Sequence, residues 1–236
     1  MITTDGPSGI RVKDTCSLLP CGTALASTFD PAIIGTLYQM VGREMVIRGS
    51  DMLLAPGMNI HRNPLCGRNF EYFSEDPHLT GKIASAVVRG IQSAGVSACP
   101  KHFACNNQET NRNRNDSRVS QRALREIYLK GFEIAVKEAK PWMIMSSYNL
   151  VNGCQTSECK ELLTDILRGE WGFDGIVTTD WWTRGEHWRE VNAGNDLKMA
   201  NGYPETVLEA VADGRVSKQQ VRDCAKRILE LILKME

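Results

Sequence analysis

The chain has 236 residues, with 28 Lys and Arg against 28 Asp and Glu, 42% hydrophobic residues and 24% charged ones. That balance leaves no cationic footprint for nucleic acid or an anionic membrane, and no stretch reaches the roughly 18 apolar residues of a spanning helix. The length suits one large or two small domains; no linker rich in Pro, Gly or Ser divides it, so residues 1–236 are read as one domain.

The opening MITTDGPSGIR has no basic segment leading into an apolar run, so no secretory signal is expected. The eight cysteines form no CxxC pair and have no histidine at zinc-ligand spacing. Unclustered cysteines suit reduced thiols in a cytoplasmic protein. No metal or organic cofactor is expected.

Short apolar runs alternate with longer amphipathic segments, which is the βα pattern. A strand stub at residues 1–4 delivers Asp5. Asp30-Pro31 then sets an N-cap acceptor before a proline at the first helical position. Leu37, Val41 and Met45 recur every four residues on one face of that helix. A strand over 51–55 (DMLLA) leads into a long loop holding Arg68 and Glu71. Asp76-Pro77 opens a second helix, with Ile83, Val87 and Ile91 as its buried face. Both helices read D-P-x-x-x-G, with Gly35 and Gly81 in matching places, an echo that suggests repeated βα units.

A strand over 96–99 precedes Lys101 and His102. Ser120 caps a third helix running to about 139, where Pro141 blocks continuation. A strand over 142–146 (WMIMS) is followed by Ser147, Tyr148 and Asn149, and Ser157 caps a fourth helix ended near Gly169. A strand over 175–179 (GIVTT) delivers Asp180, Trp181 and Trp182, and a last strand is expected over 196–199. The tail, 217–235, is amphipathic, with Val221, Ala225, Ile228, Leu229 and Ile232 on a common face. Five strands and a stub fall short of the eight of a (β/α)8 barrel. The fold class read from the pattern is therefore α/β: a TIM-barrel-like (β/α)8 fold, incomplete at its N-terminus.

In such a fold the site lies at the C-terminal ends of the strands. The polar residues found there are Asp5, Arg68, Glu71, Lys101, His102, Tyr148 and Asp180, with Trp181 alongside. A strand-end carboxylate flanked by tryptophan suits attack on a sugar carbon, with an aromatic face against the pyranose and charged groups on its hydroxyls. A retaining glycosidase adds a second carboxylate as acid/base about 5 Å away. Each element also has a structural reading. A strand-end Asp can cap the next helix, Lys101-His102 can be a surface pair, and the tryptophans can be rim packing. Arg112, Arg114 and Arg118, interleaved with Asn111, Asn113 and Asn115, read as a solvated loop or as a wall of the pocket.

The stretches DGPSGIR (5–11), GRNFEYFSEDP (67–77), KHFACNNQE (101–109), MSSYNLVNG (145–153) and GFDGIVTTDWW (172–182) resemble family 3 glycoside hydrolases, β-glucosidases especially, and occur in that family's order. The resemblance implies that Asp180 is the nucleophile. It implies that Asp5, Arg11, Arg68, Lys101, His102, Met145, Tyr148 and Trp181 bind the sugar in the −1 subsite, with Glu71 orienting Arg68. It further implies a β-glucoside or oligosaccharide substrate, or another terminal sugar such as a β-xyloside, cleaved with retention through a covalent glycosyl-Asp intermediate. Lys101 and Arg68 would hold Asp180 ionised by lowering its pKa. The family's usual acid/base is a glutamate on an α/β sandwich domain. No residue of this chain matches it, so that domain is an expected partner, most like the members in which it precedes the barrel. The loop after Lys101-His102 also lacks the second histidine of single-domain members. A non-enzymatic reading, a barrel fragment that merely binds sugar, stands beside these.

Overall fold

The computed structural model describes residues 1–235. Its strands, in chain order, are β1 (Thr3–Asp5), β2 (Met52–Leu54), β3 (Ser97–Ala98), β4 (Asp116–Ser117), β5 (Met143–Met145), β6 (Leu150–Val151), β7 (Cys154–Gln155) and β8 (Ile176–Thr178). β1, β2 and β3 pair in parallel, with Thr3 opposite Met52 and Met52 opposite Ser97. β5 and β8 also pair in parallel, Ile144 facing Val177. Between these two sheets the chain past β3 meets the end of β5: Phe103 N–H donates to Met145 O at 2.8 Å, and Phe103 bridges Ser146. One curved parallel array therefore runs β1-β2-β3-β5-β8 and on to Leu197, which bridges Thr178. Among the described residues nothing pairs Leu197 with β1, so the array is open rather than a closed barrel. β6 and β7 form an antiparallel hairpin that β4 joins at the rim.

Each step between neighbouring strands of the array passes through a helix, as parallel pairing requires. The helices Pro31–Ile47 and Pro77–Gln92 start as the sequence predicts. Asp30 Oδ1 accepts from Ala32 and Ile33 N–H, and Asp76 Oδ1 from His78 and Leu79 N–H. Ile83, Val87 and Ile91 are fully buried, each contributing roughly 1.5–3 kcal/mol. Only one member of the glycine echo is required by its own packing: a Cβ at Gly35 would have room, with Ala86 O 3.9 Å away. A Cβ at Gly81 would lie 2.8 Å from Ile134 Cβ on the next helix, and one at Gly90 would lie 2.6 Å from Gly35 O on the previous one. The helix Pro77–Gln92 approaches each neighbour this closely because Gly81 and Gly90 carry no side chain.

Strand alternation divides the core into two faces. Leu53, Ile144 and Val177 point to the helices and pack with Ile34, Val87, Phe132 and Ile166. Met52, Leu54, Met143, Met145 and Ile176 point inward and meet Leu231 of the last helix, Lys218–Met235.

Four expectations change. Residues 196–199 form no strand; only Leu197 makes a bridge. Ser157 is buried in a short 3-10 turn, Thr156–Glu158, and caps nothing; the helix Glu161–Glu170 is wound with π-type turns and stops at Gly172, φ +73°. The helix capped by Ser120 passes through a π segment, Leu124–Tyr128, before Lys130–Ala139. The tail helix buries Cys224 and Leu231 and leaves Val221 and Leu229 exposed. On the side it turns inward, Arg227 reaches the Asp196 carboxylate, whose side chain is fully buried, at 2.7 Å. The helices Gly22–Ala26, His187–Ala193 and Pro204–Ala212 are additions to the predicted pattern.

Candidate active site

The strand ends converge on a cavity of about 310 Å³. Asp5 closes β1, Lys101 and His102 follow β3, Met145 closes β5 with Tyr148 just beyond, and Asp180 follows β8. Arg68 and Trp181 join them in its wall, with Thr3, Leu54 and Arg112; Arg11 of the predicted set is not among them.

Asp180 is 7% exposed. Its Oδ1 accepts the Trp181 N–H at 2.7 Å, while Oδ2 is buried without any hydrogen-bond partner. Such an orphan oxygen costs free energy unless a ligand meets it. Burial pushes the carboxyl above its ordinary pKa, against the Trp181 N–H, Arg68, Lys101 and Tyr148. Arg68 and Lys101 do lower it, as the sequence suggests, but they only limit the rise that desolvation causes, so the net shift is upward.

His102 Nε2 lies 3.8 Å from Asp180 Oδ2. This is not an ion pair. Burial first, then Arg68, Lys101 and Arg112, hold the imidazole well below its usual pKa, so it is neutral. Its tautomer follows from the neighbours. Asn106 Nδ2 donates to Tyr72 Oη at 3.1 Å, which leaves the phenol proton for His102 Nδ1, also 3.1 Å away. The remaining ring proton then sits on Nε2, facing the cavity. Asn59 clamps the His102 backbone at both N–H and C=O.

Lys101 Nζ donates to Asp5 Oδ1 at 2.7 Å and lies 3.9 Å from Glu71 Oε2. Arg68 Nε donates to Glu71 Oε1, so buried Glu71 braces both cations from beneath. Burial raises the Asp5 carboxyl, but Lys101, Arg11 and the Gly6 N–H more than offset it, and it ends below its ordinary value. Arg11 does not line the cavity; its guanidinium is 69% exposed and touches Asp5 Oδ2 at 3.5 Å. The turn at Gly6–Gly9 carries Arg11 outward, to the rim, away from the cavity wall where the sequence reading placed it. Tyr148 has its phenol pushed up by burial and by the Asp180 charge, and Arg112 stacks on its ring at 4.5 Å, held in turn by Glu109 at 3.2 Å.

Tyr72 was not singled out in the sequence; Arg112 was, as part of a loop or of the pocket wall, and the structure places it in the wall. Tyr72 lies inside GRNFEYFSEDP, and its period with Glu71 gave no cue to its partner. The pairing of Arg112 with Glu109, three residues before it, was not read from the sequence. Among the described residues no group of three His, Cys, Asp or Glu side chains is placed to hold a metal ion.

The cavity thus offers a desolvated carboxylate oxygen, a neutral imidazole donor, three cations and an aromatic wall, which suits a polyhydroxylated ring of fixed orientation. The sequence matches the glycosyl hydrolase family 3 N terminal domain over residues 1–231. It is 52% identical to beta-glucosidase A of Butyrivibrio fibrisolvens, across 95% of this chain and 27% of that protein. It is 43% identical to an exo-alpha-(1->6)-L-arabinopyranosidase of Bifidobacterium longum, across 98% of this chain and 32% of that one. The fold superposes on beta-glucosidase 3B of Thermotoga neapolitana in complex with alpha-D-glucose, with TM-score 0.96 and 45% identity, covering 98% of this chain and 35% of that one. The chain spans about a quarter to a third of the length of the curated relatives it matches.

Proposed function

The chain belongs to glycoside hydrolase family 3, and on that premise we propose that its cavity is the −1 subsite and nucleophile half of a retaining β-glucosidase. The observation that carries this reading is Asp180 in the cavity wall, its Oδ2 buried without a hydrogen-bond partner 3.8 Å from His102 Nε2. In the first step this oxygen attacks the anomeric carbon of a β-D-glucoside and the bond to the aglycone oxygen breaks, giving a glycosyl ester. Water then cleaves the ester, releasing the sugar with net retention.

Trp181 N–H and Arg68 stabilise the carboxylate before attack and as it leaves again. Lys101, Asp5 and the Nε2 proton of His102 bind sugar hydroxyls, contacts that strengthen as oxocarbenium character develops. The proton for the leaving group needs a second acid. The other lining carboxylate, Asp5, is paired with Lys101 and held below its ordinary pKa, which disqualifies it. The acid/base belongs to a further domain, the α/β sandwich that the family resemblance implies. The arabinopyranosidase relative supports a pentopyranoside as a second substrate class for the same machinery.

The test is intact-protein mass spectrometry after incubation with a 2-deoxy-2-fluoro-β-glucoside carrying a dinitrophenolate, a leaving group that needs no general acid. One glycosyl adduct is expected, on Asp180, and none in Asp180→Asn. An adduct on another residue, or labelling that persists in Asp180→Asn, removes the assignment.

A further inference from the structure

We propose that the sugar cavity continues into a cationic side cavity that takes an anionic substituent of the substrate, a carboxylate carried by the aglycone. This rests on the sugar-binding reading of the first cavity and extends it. The side cavity holds about 540 Å³ and is lined by Glu109, Asn111, Arg112, Asn113, Arg114 and Arg184. Arg112 lines both cavities, which places the side cavity directly beside the first.

The charges in the side cavity do not balance. Glu109 is engaged by Arg112 at 3.2 Å and by Asn106 at 3.0 Å. Among the described residues Arg114 and Arg184 make no ion pair and no side-chain hydrogen bond, leaving two guanidinium groups unmatched against the lining. They come from different loops, and both loops are held. Arg114 sits in a turn fixed by its own N–H to Asn111 O at 2.7 Å and by Asn115 N–H to the same oxygen at 2.9 Å. Arg184 lies between Thr183 and Gly185, and buried Lys198 donates to both of those neighbours at 3.0 Å. Two forked donors on anchored backbone, flanked by the amides of Asn111 and Asn113, match a planar carboxylate better than a neutral group.

The experiment measures binding by isothermal titration of the full chain with two hydrolysis-resistant probes, phenyl 1-thio-β-D-glucoside and its 4-carboxyphenyl counterpart. The carboxylate is expected to tighten Kd roughly five- to tenfold at low salt, as two partly exposed charge pairs allow. The preference should shrink toward unity at 0.5 M NaCl as screening shortens its reach. In the double variant Arg114→Gln, Arg184→Gln the ratio of the two Kd values should fall to about one, with thermal unfolding confirming the fold. Equal affinities in the unaltered chain, or a preference that survives the double variant, overturn the proposal while leaving the sugar site standing. Failure of both probes to bind removes the sugar reading and this inference together.

Discussion

Replacing Lys198 with methionine removes the cation from a charge pair sealed inside the protein. Lys198 and Glu190 side chains are 2% and 1% exposed, with Nζ 2.6 Å from Oε2. The ammonium spends all three protons, on Glu190, Thr183 Oγ1 and Gly185 O, while Thr183 donates to the other Glu190 oxygen at 2.7 Å. Methionine fills the volume but leaves Glu190 a buried, uncompensated charge, which costs about 3–5 kcal/mol. Thr183 and Gly185 lie just beyond Asp180 and Trp181, so the loop behind the nucleophile loosens as well. Urea unfolding followed by tryptophan fluorescence should show the midpoint falling by roughly 1.5 M, taking a slope of about 2.5 kcal/mol per molar. The double variant Lys198→Met, Glu190→Leu should recover most of that loss, because an apolar pair replaces a buried ionic one at little net cost. A single variant within about 1 kcal/mol of the parent, or a double variant no more stable than the single, refutes the reasoning.

Asp180→Asn should unfold at the same temperature or higher at pH 7. The folded carboxyl has a raised pKa, so its charge subtracts stability once pH exceeds the unfolded value, and at pH 3, where both states are protonated, the two proteins should converge; a variant less stable at pH 7 contradicts this. The rate of fluoroglucoside labelling should rise with pH along a limb lying above 3.8, the ordinary carboxyl value, and Arg68→Met should move that limb higher; a limb that stays in place denies Arg68 its electrostatic role. Tyr72→Phe removes the proton that fixes the His102 tautomer and should slow labelling by up to about tenfold, with near-normal circular dichroism; an unchanged rate means the tautomer does not matter. Gly81→Ala forces a methyl against Ile134 and should cost about 1–3 kcal/mol in urea unfolding.

The parts of the molecule legible in the sequence are those governed by neighbours in the chain. Asp30 and Asp76 cap helices through N–H groups two and three residues on, and a strand-end position such as Asp180 follows from counting past an apolar run. What stayed hidden depends on residues far apart. The last helix meets Asp196 through Arg227, 31 residues on, and the tautomer of His102 is set by Tyr72 and Asn106. The sign of the Asp180 shift escaped for a related reason: flanking cations can be seen in a sequence, but the depth at which a carboxylate is buried cannot. Arg11 misled because its match to a motif fixed its position in the chain, while the turn after Asp5 fixed where its guanidinium points.

The cavity draws on residues from Thr3 to Trp181, and its central ion pair, Lys101 to Asp5, joins positions 96 apart in the chain. No single βα unit holds enough of the wall to grip a sugar, so affinity for the ring appears only when every unit is docked. An occupant therefore acts as a gauge of the whole fold. At a hundred times its Kd it adds about 2.7 kcal/mol to global unfolding, and a lesion at any one helix contact, even far from the sugar, registers as weaker binding when it lets one unit fray.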